Sequence, residues 1–282
     1  MKTAVLMALM TAILMLIGDY FGGIEGMTYM LFFGVAMNIY TYWNSDKMVL
    51  AHYNAKQVDK NAAPQLYGII EKLAAKAGIP TPKVYIINSN VPNAFATGRN
   101  PDHAAVAVNT ALAEILTRDE LEGVLAHELS HVKHRDILIS TVAACMASAI
   151  STIAQWGMFL GGGRDENGES RSPVGAILIM ILGPLAAALI QMAISRSREF
   201  SADESGGELC GKPDALADAL LKIQAFANHA TMRNATEATA HMFIINPFSG
   251  ANMKQLFSTH PPTEERVRRL REQAKAMGRG NR

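Results

Sequence analysis

The string His127-Glu128-Leu129-Ser130-His131 sets two imidazoles four residues apart, with a carboxylate directly after the first. On an α-helix that spacing puts both rings on one face, because positions i and i+4 lie one turn apart. Two neutral imidazoles can each give a nitrogen to one zinc ion, and the intervening Glu128 is then placed to take a proton from a water that the metal activates. The pattern is a ligand pair plus a base. The same five residues also occur on solvated helices with incidental histidines, so the chemistry depends on a third ligand.

Catalytic zinc commonly takes three protein ligands and keeps a fourth position for water or substrate. The stretch Ser195 to Asp203 offers Glu199 and Asp203, again four residues apart. Glu199 can ligate the metal while Asp203 accepts an N–H from a ligand histidine and fixes its tautomer. The other reading of this pair is a charge balance against Arg196 and Arg198. Chain layout favours the ligand: two apolar runs, 137–160 and 174–194, joined by the polar, glycine-rich loop 161–173, return the chain to the surface it left. Glu199 then arrives beside His127 and His131.

The elements that must hold these residues are partly visible. Thr117 and Glu120 form a capping-box pattern, and Leu121, Val124, Leu125 and Val132 continue an apolar stripe, so a helix is predicted from near Thr117 through both histidines. Ala63 to Ala77 reads as an amphipathic helix stopped by Gly78. Lys83 to Ile87 and Ala104 to Val108 read as short strands.

The chain has 282 residues, 49% of them hydrophobic and only 18% charged, so part of the surface is expected to face lipid. A net charge of +1 argues against a nucleic-acid partner. Two cysteines, Cys145 and Cys210, give no disulfide framework and read as small buried side chains. The apolar runs predict four transmembrane helices and this layout: a hairpin over 1–43 (spans at about 3–22 and 28–43), a first catalytic part over 44–136, a second hairpin over 137–194 (137–160 and 174–194), and a second catalytic part over 195–282. A buried core hairpin is the alternative for 137–194. Lysines and arginines beside the spans, including Lys2, Lys47, Lys133 and Arg196, predict cytoplasmic termini and a cytoplasmic catalytic domain.

The chain resembles the HtpX-like membrane zinc metallopeptidases, which are related to the prenyl-protein-processing peptidases of eukaryotic membranes. The resemblance rests on Leu116 to Leu121 leading into His127 to His131, on Arg198-Glu199-Phe200-Ser201-Ala202-Asp203, and on Ser258-Thr259-His260-Pro261-Pro262-Thr263. It implies an α+β, mainly helical fold: a gluzincin-type zinc peptidase domain with a small sheet. It implies one Zn2+ per chain on His127, His131 and Glu199, and stress-linked quality control of membrane or unfolded proteins in a bacterial or archaeal cytoplasmic (inner) membrane, alongside membrane quality-control partners. It also implies that Asn93-Ala94-Phe95 lies in an active-site edge region where substrate pairs as an added strand, the alternative being a turn at Pro92-Asn93 with Phe95 in the core. His260 resembles a second-shell or oxyanion-contacting histidine. His52, His103, His134, His229 and His241 read as surface or packing residues. Two rival functions stand beside this one: a processing peptidase for one lipidated or signal-bearing substrate, and a catalytically silent zinc scaffold.

Overall fold

A computed structural model describes residues 2–143, 145, 196–229, 244 and 261–278. The first element, α1 (Lys2–His52), is helical throughout except at Gly23, whose φ of 58° and ψ of −149° break it. Only a residue without a β-carbon adopts that conformation readily. The chain folds back there into two arms. Asn38 Nδ2 on the second arm donates to the Met7 carbonyl oxygen at 3.1 Å and to Thr11 Oγ1 at 2.8 Å on the first. Near the turn, a methyl group on Gly18 would overlap the carbonyl oxygen of Gly26, so only small residues permit this approach.

The two amino-terminal spans expected from the sequence thus correspond to the arms of one broken helix, and the second arm runs on past Trp43 to His52. Among the described residues, no helix is long and apolar enough to cross a membrane. Gly18, Asp19, Gly22, Gly23, Glu25 and Gly26 crowd the turn, and Asn38, Asn44, Ser45, Asp46 and Lys47 dilute the second arm. The spans expected at 137–160 and 174–194 lie outside the described residues, apart from helical residues 137–143 and 145.

A four-stranded sheet follows, ordered β1 (Lys56–Val58), β2 (Lys83–Ile87), β4 (Ala104–Asn109), β3 (Ala94–Gly98). β2 and β4 are parallel; β1 and β3 pair antiparallel with β2 and β4. The sequence reading expected β2 and β4 but neither β1 nor β3. Every residue of β4 is buried, because side chains alternate between two covered faces. Ala104, Val106 and Val108 join the main core with Val84, Ala94 and Ala96. Ala105 and Ala107 pack with Ile87 and Phe95 on the opposite face against Val49 and Leu50 of α1.

The main core is closed by helices. α2 (Pro64–Ala77) starts with proline in its first turn and ends at Gly78 in the left-handed conformation. A short α3 (Thr110–Ile115) leads into α4 (Arg118–Lys133), and α5 (Arg196–Cys210), α6 (Pro213–His229) and α7 (Thr263–Ala276) complete the bundle. Both halves of the expected capping box form: Thr117 N–H donates to Glu120 Oε2 at 2.7 Å, and Glu120 N–H to Thr117 Oγ1 at 3.4 Å. Lys222 of α6 reaches the same Glu120 oxygen at 2.8 Å, tying α6 to the start of α4.

Candidate metal centre

Two helices carry the centre. α4 presents His127 and His131 on one face, and α5 lies against it so closely that a β-carbon on Gly206 would sit 2.9 Å from the backbone nitrogen and Cα of His127. Glu199, Asp203 and Gly206 occupy positions i, i+4 and i+7 of α5, so they share the stripe that faces α4. The glycine lets the helices touch, and the two carboxylates point into the contact.

Nε2 of His127 and Nε2 of His131 stand 3.2 Å apart; Glu199 Oε2 is 3.7 Å from the first and Glu199 Oε1 is 3.5 Å from the second. A tetrahedral zinc with bonds of about 2.0 to 2.2 Å separates its donor atoms by roughly 3.3 to 3.5 Å. The two histidine nitrogens stand at about that separation, and one ligand atom from each of His127, His131 and Glu199 lies within 4.8 Å of the others, so the three side chains converge on a space that a single ion could fill. The local field also suits a dication. Burial alone would lower the His131 pKa, but Asp136, Glu199 and Glu128 outweigh it and lift the ring to about 9.

Glu128 is buried and is not among these donors. Its Oε2 accepts from the N–H of Ala96 at 3.0 Å, on β3, the end strand of the sheet. Burial pushes the Glu128 carboxyl up from its ordinary range; His127 and His131 pull it down, Glu199 pushes it up, and the Ala96 N–H pulls it down, with burial dominant. A carboxyl raised in this way is suited to taking up and releasing a proton nearer neutral pH.

Behind the donors lies a second layer. Nδ1 of His127 is 2.9 Å from Asp203 Oδ1, and both side chains are buried. Arg266 of α7 donates to both Asp203 oxygens at 2.7 Å. Burial would raise the Asp203 pKa, but the guanidinium beside it and His127 hold it down at about 2. Arg266 Nη1 also donates to the Ile244 carbonyl oxygen at 2.9 Å, and the Ile244 N–H donates to Asn93 Oδ1 at 3.0 Å. A continuous polar chain thus runs from His127 to the residue before β3. On the other side, Asp136 Oδ2 is 3.4 Å from His131 Nδ1.

Of the residues singled out from sequence, His127, His131 and Glu199 converge, Glu128 lies between them and β3, and Asp203 stands behind His127. Asn93 is buried, with its side-chain oxygen engaged by Ile244; Ala94 and Phe95 open β3, and Phe95 is buried with its ring 5.4 Å from that of Tyr53. His260 lies outside the described residues. His52, His103 and His134 are exposed. Sequence reasoning missed Arg266 and Asp136. Arg266 sits 63 residues from its carboxylate, beyond any local pattern; Asp136, five residues after His131, was within reach of a search past the end of the helix.

The fold and the donor set define a metallopeptidase. Residues 60–274 match peptidase family M48. The chain is 57% identical over 272 residues to a protein of Methylibium petroleiphilum named Protease HtpX homolog, covering 96% of each. It is 55% identical over 276 residues to one of Burkholderia multivorans with the same name, covering 97% of this chain and 96% of that protein. The crystal structure of S. mikatae Ste24p has a similar fold, with a TM-score of 0.52 at 20% identity, over 92% of this chain and 62% of that chain. The present chain belongs to peptidase family M48.

Proposed function

We infer that the protein is a zinc-dependent endopeptidase acting at a membrane surface on membrane or unfolded proteins. The observation that carries this reading is Glu128: a buried carboxyl outside the donor set, held against the end strand and beside the place where the three donors converge. A scaffold metal site has no use for such a group, which weighs against the silent alternative.

Zinc, when bound by His127, His131 and Glu199, supplies polarisation of the scissile carbonyl and acidification of water. The chain's own residues do the rest. An extended substrate running along β3 would meet backbone groups of Ala94 and the carbonyl oxygen of Ala96, whose N–H is held by Glu128, since alternate residues of an end strand turn their backbone groups outward. Glu128 accepts the proton of the attacking water and returns it to the leaving amine, and its burial keeps it from ionising too readily for that exchange. Asp203, fixed by Arg266, holds the orientation of His127. His260 is assigned here as a donor to the oxyanion, following the resemblance of the segment that carries it.

Membrane association follows from α1, whose surface exposes Leu16, Ile24, Tyr29, Phe32, Phe33, Ile39, Tyr40 and Trp43. So many exposed large apolar side chains on one element favour lipid or protein cover. The lysines and arginines near the apolar runs support a cytoplasmic catalytic part. The reading is tested with Glu128→Gln in purified protein. Near-stoichiometric zinc with loss of cleavage of an unfolded substrate is expected; substantial remaining activity would refute the assigned base, and absence of zinc from the wild type would refute the metal.

A further inference from the structure

The two histidines are supported differently. His127 is backed by a carboxylate from another helix, whereas the carboxylate near His131 comes from the end of its own. Two residues past the end of α4, Arg135 has a φ of 61°, in the left-handed region that a β-carbon disfavours. The Arg135 N–H donates to the Val132 carbonyl oxygen at 3.1 Å, and the Asp136 N–H to the His131 carbonyl oxygen at 2.9 Å. These two bonds form a Schellman motif. In that motif the second residue past the cap comes to lie beside the third residue before it, and the pair is usually apolar. Here the pair is Asp136 and His131.

We propose that Asp136 is a positioning residue for the metal centre, which fixes the His131 tautomer and ring orientation through Nδ1. The inference rests on His131 being a zinc ligand, as assigned above. Nε2 of His131 faces His127 and Glu199, so its lone pair is available to a metal only when the ring proton sits on Nδ1. Asp136 Oδ2, 3.4 Å from that nitrogen, is the acceptor for it. The other oxygen, Oδ1, lies 3.7 Å from Arg198 Nε, and Arg198 directly precedes Glu199. Asp136 therefore touches the supports of two donors: the ring of His131 and the first turn of α5. The unfavourable backbone of Arg135 is what delivers it there, as expected where a local outlier is kept for the site it builds.

The test uses the full chain in detergent, with zinc affinity measured by chelator competition and unfolding of the zinc-free protein measured in parallel. Asp136→Ala is expected to weaken zinc by about 10 to 100-fold, the usual loss for an outer partner of a ligand histidine. Its zinc-free unfolding midpoint should match the wild type. Asp136→Asn should recover part of the affinity, because its carboxamide oxygen still accepts the Nδ1–H. Arg135→Gly keeps the turn and the carboxylate, and should bind zinc as the wild type does. Wild-type affinity in Asp136→Ala overturns the proposal, and so does an equal loss in Asp136→Ala and Arg135→Gly, which would assign the effect to the turn. A wild-type protein that binds no zinc fails one step earlier, at the assignment of the metal itself.

Discussion

Asp203 lies buried between a guanidinium and an imidazole, and this sets how the metal-free protein responds to acid. Its carboxyl ionises at about 2 in the fold, against about 3.9 in an unfolded chain. Its pKa is depressed, so its contribution to stability is present above about pH 4 and is lost as the pH falls toward 2. Zinc-free wild type should lose stability to urea across that window. Asp203→Asn should be less stable at neutral pH but flatter with acid, and an unchanged acid profile would show that other carboxylates set it. At this scale the sequence was most legible where the chemistry is local. His127, Glu128 and His131 announce themselves by spacing along one helix. The Asp203–Arg266 pair does not, because it joins helices that meet only after the chain has folded.

Among the elements, the contact of α4 with α5 positions the site most directly. Gly206 is at its centre, and an added methyl would meet backbone rather than a side chain that could swing aside. Gly206→Ala should therefore push α5 away from His127, destabilise the protein by about 1 to 3 kcal/mol as overpacking does, and weaken zinc binding by moving Glu199 with the helix. Chemical unfolding and metal titration read both effects; wild-type values in both would mean that the helices shift without cost. α2 and α4 were readable because a proline, a glycine and a capping box mark their ends. β3 was not readable as a strand, since Ala94-Phe95-Ala96-Thr97-Gly98 is mostly small residues of modest strand preference. It is held in place by pairing with β4 and by burial. The amino-terminal runs were legible as apolar, but the continuous helix with a single break at Gly23 was not, because the sequence around the break reads equally well as a loop.

At the scale of the whole molecule the sheet is a partition. One face carries the core beneath α4 and α5, and the other rests on the end of α1. β3 belongs to both sides. Ala96 reaches Glu128 through its N–H, while Phe95, its neighbour in the strand, meets the ring of Tyr53 just beyond α1. Arg99, next after the strand, stacks over Trp43 of α1 with its guanidinium carbon 4.5 Å from the ring centre. The apolar hairpin and Glu128 thus bear on consecutive residues of a single five-residue strand.

That shared strand makes the surroundings of the hairpin an input to catalysis. A detergent that packs poorly around α1 would let its far end shift and carry Trp43, and with it the β3 margin, out of register with Glu128, while the donors on α4 and α5 stay where they are. Specific activity should accordingly vary among detergents and rise in lipid nanodiscs at constant zinc content, a comparison that activity assays and metal analysis on the same samples can make. Activity that tracks zinc content alone would mean that the strand is indifferent to the hairpin. Otherwise the enzyme carries its own gauge of solubilisation: the quality of the amphiphile around residues 2–52 would be read out as turnover, and a preparation fully loaded with metal could still be silent.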